Sequence, residues 1–259
     1  GNLTTEEADP ELTPFPLKPE LVDQIELGYR SVLFDNRLQL NATLYTADYQ
    51  DFQDRVRFED ENGDIVSTLR SIDNVLSEGA EVEAVWQVTD NFKLNAAVSY
   101  NETTYDVPEG VIYGNCPPVY RGTDACVKIG KNELIDLGGK SRPNAPKWQY
   151  LLGGRYIHDY ASGYEGSVSF SYKYTDDSLK GLDQDPLKAL YAQDVLNLNF
   201  RLTSPSGRFQ YSLFVKNLLD DRLIRSRNYN PSNNFGGRIV EALPRNYERY
   251  FGISMRIRY

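Results

Sequence analysis

The sequence predicts an all-β fold, an antiparallel up-and-down meander of about nine strands that forms part of a transmembrane β-barrel. Three observations predict it. The chain closes on Phe251-Gly-Ile253-Ser-Met255-Arg-Ile257-Arg-Tyr259, in which every second residue is apolar and those between are Gly, Ser and Arg. That is the period of a strand with one face fit for lipid and one for a polar lumen. The same period recurs along most of the chain, and the links between the periodic runs alternate between short turns and long polar segments, the two ends of an outer-membrane barrel.

Taken in order, the runs place strands near 21–33, 37–58, 65–88, 92–104, 146–158, 165–176, 191–203, 208–219 and 247–259. Leu38, Leu40, Ala42 and Leu44 alternate with Gln39, Asn41 and Thr43, and Phe92, Leu94, Ala96, Val98 and Tyr100 with Lys93, Asn95, Ala97 and Ser99. Val168, Phe170, Tyr172 and Tyr174 interleave with serines and Lys173; Leu196, Leu198, Phe200 and Leu202 with Asn197, Asn199 and Arg201. Phe209, Tyr211, Leu213 and Val215 repeat the pattern. Phe34-Asp-Asn36, Thr89-Asp-Asn91, 159–164 and Ser204-Pro-Ser-Gly207 are the short turns, rich in turn formers. The long links lie around 59–64, 105–145, 176–190 and 220–246.

The mean hydropathy of -0.54 is that of a soluble protein, but a barrel strand is apolar on one face only, so this value does not decide between the two. The 19 Tyr and 11 Phe are better guides: many stand near strand ends, such as Tyr49, Tyr100, Trp148, Tyr150, Tyr191 and Tyr247, where aromatic girdles sit. Nine is an odd number where bacterial single-chain barrels have even ones, and the sequence starts at Gly1 with neither Met nor signal peptide. The expectation is the C-terminal part of a larger protein, with 1–20 a loop or truncated lead-in and 21–259 the barrel segment.

Several motifs, in this order and spacing, resemble the TonB-dependent outer-membrane receptors. They are Leu17-Lys-Pro-Glu20 ahead of Glu26-Leu-Gly-Tyr29, Phe34-Asp-Asn-Arg-Leu38 leading to Asp48-Tyr49-Gln-Asp-Phe52, and Gly79-Ala-Glu-Val-Glu83 before Thr89-Asp-Asn91. Pro143-Asn-Ala-Pro146 before Trp148, Val215-Lys-Asn-Leu218 with Asp220-Asp221, and the aromatic end complete the set. The resemblance implies a partial barrel of the 22-strand plugged type. It further implies an N-terminal plug domain of the same parent chain and energy from the TonB complex. The implied role is import of a scarce nutrient, most often a ferric siderophore, with cobalamin, haem or oligosaccharide as other cargoes. Haem is disfavoured by the single His158. A passive porin and a barrel enzyme are the alternatives.

By alternation Glu26, Arg30, Arg37, Glu81, Glu83, Lys93, Arg155, Lys173, Arg201, Lys216, Arg256 and Arg258 line the lumen, and Phe251, Ile253, Met255, Ile257 and Tyr259 face the membrane. Mixed charges on the wall fit either a plug or an open ion path; the resemblance favours the plug. Cys116 and Cys126 share the longest loop and are read as a disulfide, since a metal would need more ligands. Ser167, Ser169, His158 and Asp159 are the thin parts of a catalytic triad, and Asp176, Asp177, Asp183 and Asp185 of a calcium loop; a solvated acidic segment fits the latter better. No catalytic residue, resident metal or cofactor is assigned.

The last long loop gathers Arg222, Arg225, Arg227, Arg238, Arg245 and Arg249, with Asn228, Tyr229, Asn230, Asn233, Asn234 and Phe235 between them. Guanidinium groups pair with carboxylate, catecholate-like or phosphate oxygens. Three uses are open: Arg222, Arg225, Arg227, Tyr229, Arg238 and Arg245 holding an anionic ligand, a rim binding lipopolysaccharide phosphates, or pairing within the loop. The net charge of -9, with Glu6, Glu7, Asp9 and Glu11 near the start, gives no support for nucleic-acid binding.

Overall fold

The computed structural model describes residues 17–230, 237–245 and 247–259; the acidic start and Asn233, Asn234 and Phe235 lie outside them. The strands run β1 (Leu21–Leu33), β2 (Leu38–Glu59), β3 (Ile65–Thr89), β4 (Phe92–Tyr105), β5 (Tyr113–Asn115), β6 (Val127–Ile129) and β7 (Asn132–Asp136). They continue with β8 (Trp148–Asp159), β9 (Glu165–Thr175), β10 (Gln193–Thr203), β11 (Phe209–Lys216), β12 (Ser226–Asn230), β13 (Arg238–Ala242) and β14 (Tyr250–Ile257). The long strands pair in chain order as β1-β2-β3-β4-β8-β9-β10-β11-β14, every pair antiparallel. This is the expected meander. Among the described residues the sheet does not close: β1 pairs only with β2 and β14 only with β11.

Register joins the apolar positions into continuous rows. Leu33, Leu38, Trp86, Leu94 and Gly154 are successive partners, as are Leu27, Leu44, Ala80, Tyr100 and Trp148. Tyr156, Val168, Phe200, Leu213 and Ile253 form a row at the other side of the sheet. One face is therefore apolar from β1 to β14, and Ile25 and Ile253 on it are 74% and 80% exposed. The opposite face carries Arg30, Asn41, Glu83, Lys173 and Ser254, as alternation requires.

Small and large residues fit across strands. Gly79 pairs with Tyr45, and a Cβ added there would come within 2.4 Å of the Tyr45 hydroxyl, so the ring lies across the glycine. The Leu33–Leu38 turn is closed by an Arg37 N–H to Phe34 C=O bond of 3.0 Å, with Asp35 and Asn36 both at positive φ. Asp and Asn tolerate that conformation, which matches strand twist in a tight hairpin.

Two expectations are corrected. The link at 59–64 is a tight turn, closed by Asp60 N–H to Asp64 C=O at 2.9 Å. Length at this position is supplied by the strands: β2 and β3 have 22 and 25 residues, about twice what a spanning strand needs. The segments 105–145 and 220–246 are not featureless loops but hold β5–β7 and the β12–β13 hairpin, runs too short to show a period.

Candidate functional site at the long-loop end

The only hydrophobic core of buried side chains among the described residues stands at the end where β2 and β3 project. Val56, Ile72, Val75, Tyr105, Val107, Ile112, Ile135 and Leu137 pack together, with Tyr49 and Phe52 against them. Tyr49 and Phe52 are three apart, as are Ile72 and Val75, so strict alternation would put them on opposite faces. At this level the ladder omits the Asp51–Asp73 pair without a change of register, and Asp51 takes a φ of +52°. Beyond it Phe52, Val56 and Ile72 pack on the same side as Val75 and Tyr105, and the 106–145 segment folds onto that face. β5 takes the edge of β2 beyond the reach of β1 through the Arg57–Tyr113 pair, and Tyr49 belongs to this core rather than to a girdle.

The cap is tied internally. Cys116 and Cys126 form the expected disulfide, with Cα atoms 5.9 Å apart. Tyr105, fully buried, donates to Asp54 Oδ2 at 3.0 Å, and the Arg142 guanidinium lies over the Phe52 ring at 4.6 Å with its Nε 3.8 Å from the same carboxylate. Burial, and then the Asp54 charge, push the Tyr105 hydroxyl well above the usual tyrosine range. The 176–192 segment packs on the cap: a Cβ at Gly114 would lie 2.1 Å from the Leu182 carbonyl oxygen, so a glycine is needed there. Gln184 Nε2 donates to Ser141 C=O at 3.0 Å and Lys180 Nζ to Asn144 Oδ1 at 2.8 Å.

Beside this cap stands the arginine-rich hairpin. Glu241, unremarked in the sequence, is the residue that gathers two of its arginines: Arg222 Nη2 lies 2.9 Å and Arg227 Nε 3.4 Å from its carboxylate. Arg227 is 9% exposed, its guanidinium sits 4.6 Å over the Tyr191 ring, and its Nη1 has no hydrogen-bond partner among the described residues. Arg249 pairs with Asp220 at 3.4 Å. Arg225, Arg238 and Arg245 are exposed and form no ion pair among the described residues, while Tyr229 pairs across the hairpin with Ile239. The arginines thus divide into a paired set that shapes the hairpin and a free set on its surface. Asn217 anchors the hairpin's base: buried, at φ +51°, it donates through Nδ2 to Asp221 C=O at 2.8 Å and Tyr247 C=O at 3.3 Å.

The other candidates are not assembled. His158 pairs with Gly166 on the apolar face, whereas Ser167 and Ser169 take the opposite one, so no triad forms. Asp183 is held by Lys188, Asp185 caps the turn at Leu187 N–H with a 2.9 Å bond, and Asp176 accepts from Tyr174 at 3.0 Å. No group of three or more His, Cys, Asp or Glu fit to hold a metal occurs among the described residues. At the long-loop edge of the apolar face, Tyr100, Trp148, Tyr150 and Tyr174 follow one another at ring separations of 4.8, 5.9 and 5.1 Å.

The family model "TonB dependent receptor-like, beta-barrel" matches residues 8–218. The chain belongs to this TonB-dependent receptor family. It is a family of outer-membrane transporters and not of enzymes, which removes the barrel-enzyme alternative and places the chain in the outer membrane. No curated protein sequence matches it. Among solved structures it is similar to the ferric yersiniabactin uptake receptor FyuA from Yersinia pestis, at 16% identity and a TM-score of 0.62, over 92% of this chain and 30% of that one. The siderophore receptor PiuA from Acinetobacter baumannii matches at 15% and 0.61, over 92% and 28%. The ferric-catecholate import receptor Fiu of K12 E. coli matches at 18% and 0.59, over 93% and 28%. At these identities the likeness is one of fold, and the chain spans under a third of each of those chains.

Proposed function

We propose that this chain is the C-terminal barrel segment of a receptor that captures a ferric siderophore at the cell surface and imports it with energy from TonB. The observation that carries the reading is the apolar face kept in register across all the long strands, in a member of a family of outer-membrane transporters. That face meets lipid, with Phe251, Ile253, Met255 and Ile257 among its residues. The short-turn end is periplasmic and the capped end extracellular, where lipopolysaccharide meets the aromatic girdle. The mixed charges of the other face pair with a plug domain.

The exposed arginines of the hairpin supply the ligand contacts. A ferric siderophore carries ionised oxygens, and hydrogen bonds to charged groups contribute about 1.5–3 kcal/mol each when desolvated. Replacing Arg225 and Arg238 together by Ala is expected to weaken equilibrium binding of the ferric siderophore by roughly a hundredfold or more. Arg227→Ala, by contrast, leaves Glu241 to Arg222 alone, removes the guanidinium from the Tyr191 ring and so disturbs the hairpin itself. Iron uptake from the same complex should vanish in cells lacking TonB. Uptake that persists without TonB identifies a passive channel, and equal affinities of wild type and double variant take these arginines out of the ligand site.

A further inference from the structure

The polar face of the sheet does not carry its charges evenly. On β1–β3 the signs are mixed: Glu26, Glu81 and Glu83 stand with Arg30, and Arg30, Asn41 and Glu83 are successive partners. On β9, β10, β11 and β14 that face holds Lys173, Arg201, Lys216 and Arg256, with Arg258 just past the end of β14. Glu165 is the only carboxylate on that face of these four strands among the described residues, and Arg155 of β8 lies 3.8 Å from it. None of the five cations has an ion pair among the described residues. Lys173, Lys216, Arg256 and Arg258 are exposed, and the buried Nε of Arg201 has no hydrogen-bond partner among the described residues. Register spreads these cations down the wall. Lys173 stands opposite Val195; Ser167, Arg201, Ser212 and Ser254 are successive partners; and Thr203, Gln210 and Arg256 form the next row toward the turns. From Val195 to Thr203 the wall descends about 27 Å, close to the depth of a bilayer core of about 30 Å. Lys216 ends β11 and Tyr250 opens β14, and the loop between them carries Arg225 and Arg238, so the stripe begins at the foot of the arginine hairpin.

We propose that the lumen wall of β9–β11 and β14 is a track for an anionic ferric complex, which passes from the hairpin arginines to Lys216 and Lys173 and then to Arg201, Arg256 and Arg258. The proposal rests on the transport reading above and adds to it a path and a sign of charge. A wall of one sign focuses the field and raises the local concentration of the opposite ion, and Arg and Lys linings select anions in pores. A guanidinium flanked by hydroxyls, as Arg201 is by Ser167 and Ser212, binds ionised oxygens through charge-assisted hydrogen bonds. Adjacent rows stand about 7 Å apart along a strand, so a multiply charged complex meets the next cation as it leaves the last. The mixed charges of β1–β3 suit a plug; the stripe, short of acids and continuous with the hairpin, suits a mobile anion in water.

The test places a thiol in the stripe of the full-length receptor, as Ser254→Cys, or as Gln210→Cys if the first variant fails to fold. The purified protein is treated with an anionic sulfonate or a cationic trimethylammonium thiosulfonate reagent, and the two rates are compared with those of a small free thiol. The anionic reagent should be favoured about tenfold or more, and the preference should collapse between about 0.01 M and about 1 M salt. Arg201→Gln with Arg256→Gln should abolish it, and Thr43→Cys, opposite Glu81, should not show it. Inorganic pyrophosphate should slow the anionic reagent at least about threefold more than sodium chloride of equal ionic strength. In cells given ferric tris-catecholate, the same arginine pair variant should lower maximal iron uptake about tenfold, with half-saturation unchanged because Arg225 and Arg238 are intact. No preference, a preference untouched by the arginine variants, or equal slowing by the two salts would each overturn the proposal. A thiol that neither reagent reaches until the protein is unfolded means that the plug covers this wall, and overturns it too. An anion preference with iron uptake unchanged or absent leaves a site for free oxyanions and removes the track. The reagent ratio does not depend on TonB, so uptake that persists without TonB strikes the energised reading alone, whereas a lost ratio with TonB-dependent uptake intact strikes the track alone.

Discussion

At the scale of single residues, the polar groups that matter most are those buried with one partner. Tyr105 donates to Asp54 from a fully buried position, and a hydrogen bond to a charged group contributes about 1.5–3 kcal/mol. Tyr105→Phe should lower the stability of the cap by about that much at neutral pH, measured by hydrogen exchange of residues 106–145. Because burial and the Asp54 charge raise the hydroxyl pKa above its unfolded value, the neutral phenol is the form the fold favours. Its contribution is complete below about pH 10 and is lost as pH rises toward the folded-state value. The gap between wild type and Tyr105→Phe should accordingly narrow in alkali; a gap constant from about pH 8 to about pH 11 would show that the hydroxyl is not held as described. Asn217 shows how far a sequence motif is readable. Val215-Lys-Asn-Leu218 marks the family in the sequence, yet that Asn217 joins two main-chain carbonyls from a left-handed position appears only when the chain on either side of the hairpin is brought back to β11.

At the scale of elements, the nine long strands were legible because a period of two over eight or more residues leaves a clear mark, and each expected strand lies within a few residues of its predicted place. The tip of the β2–β3 hairpin was not legible: the side chains that point inward change parity past the unpaired Asp51–Asp73 level, where Asp51 is left-handed, and nothing in composition distinguishes that aspartate from its neighbours. β5–β7 and β12–β13 were missed for a related reason, since strands of three to five residues are fixed by tertiary packing rather than by pattern. The cysteines were legible from placement alone. In the chain-entropy account their bridge contributes roughly 3 kcal/mol to the cap. Replacing both by Ser should speed proteolysis within 106–145 while the heat resistance of the barrel on a denaturing gel stays unchanged, because the flanking strands keep their own ladders. Loss of barrel heat resistance would mean that the cap and the strands fold as one unit.

At the scale of the whole molecule, the two faces of the sheet define its surroundings. A soluble protein rarely leaves a contiguous apolar patch larger than a few hundred Å² exposed, yet here such a surface runs unbroken across the sheet and is bounded at the long-loop edge by aromatic rings. The candidate ligand site was legible only as a density of arginines. Its division into paired and free groups depends on Glu241, Tyr191 and Asp220, which come from three separate stretches of chain. Which solvent covers the apolar face is open to a direct energetic test. Ile253 is 80% exposed on that face, opposite Leu213, and the next residue, Ser254, points to the other. In water, a surface substitution at so exposed a site changes stability by no more than about 0.5 kcal/mol. Against hydrocarbon, an arginine in a barrel strand costs about 2–4 kcal/mol near the midplane. Ile253→Arg is therefore expected to destabilise the protein by about 2–4 kcal/mol in reversible urea unfolding from lipid vesicles, whereas Ser254→Arg, placed beside Ser212 and Arg256 on the polar face, should cost much less. The contrast between adjacent positions removes any general effect of adding charge to β14. Equal, small costs at the two sites would mean that water covers both faces, and the membrane-facing assignment of Phe251, Ile253, Met255 and Ile257 would fall with it.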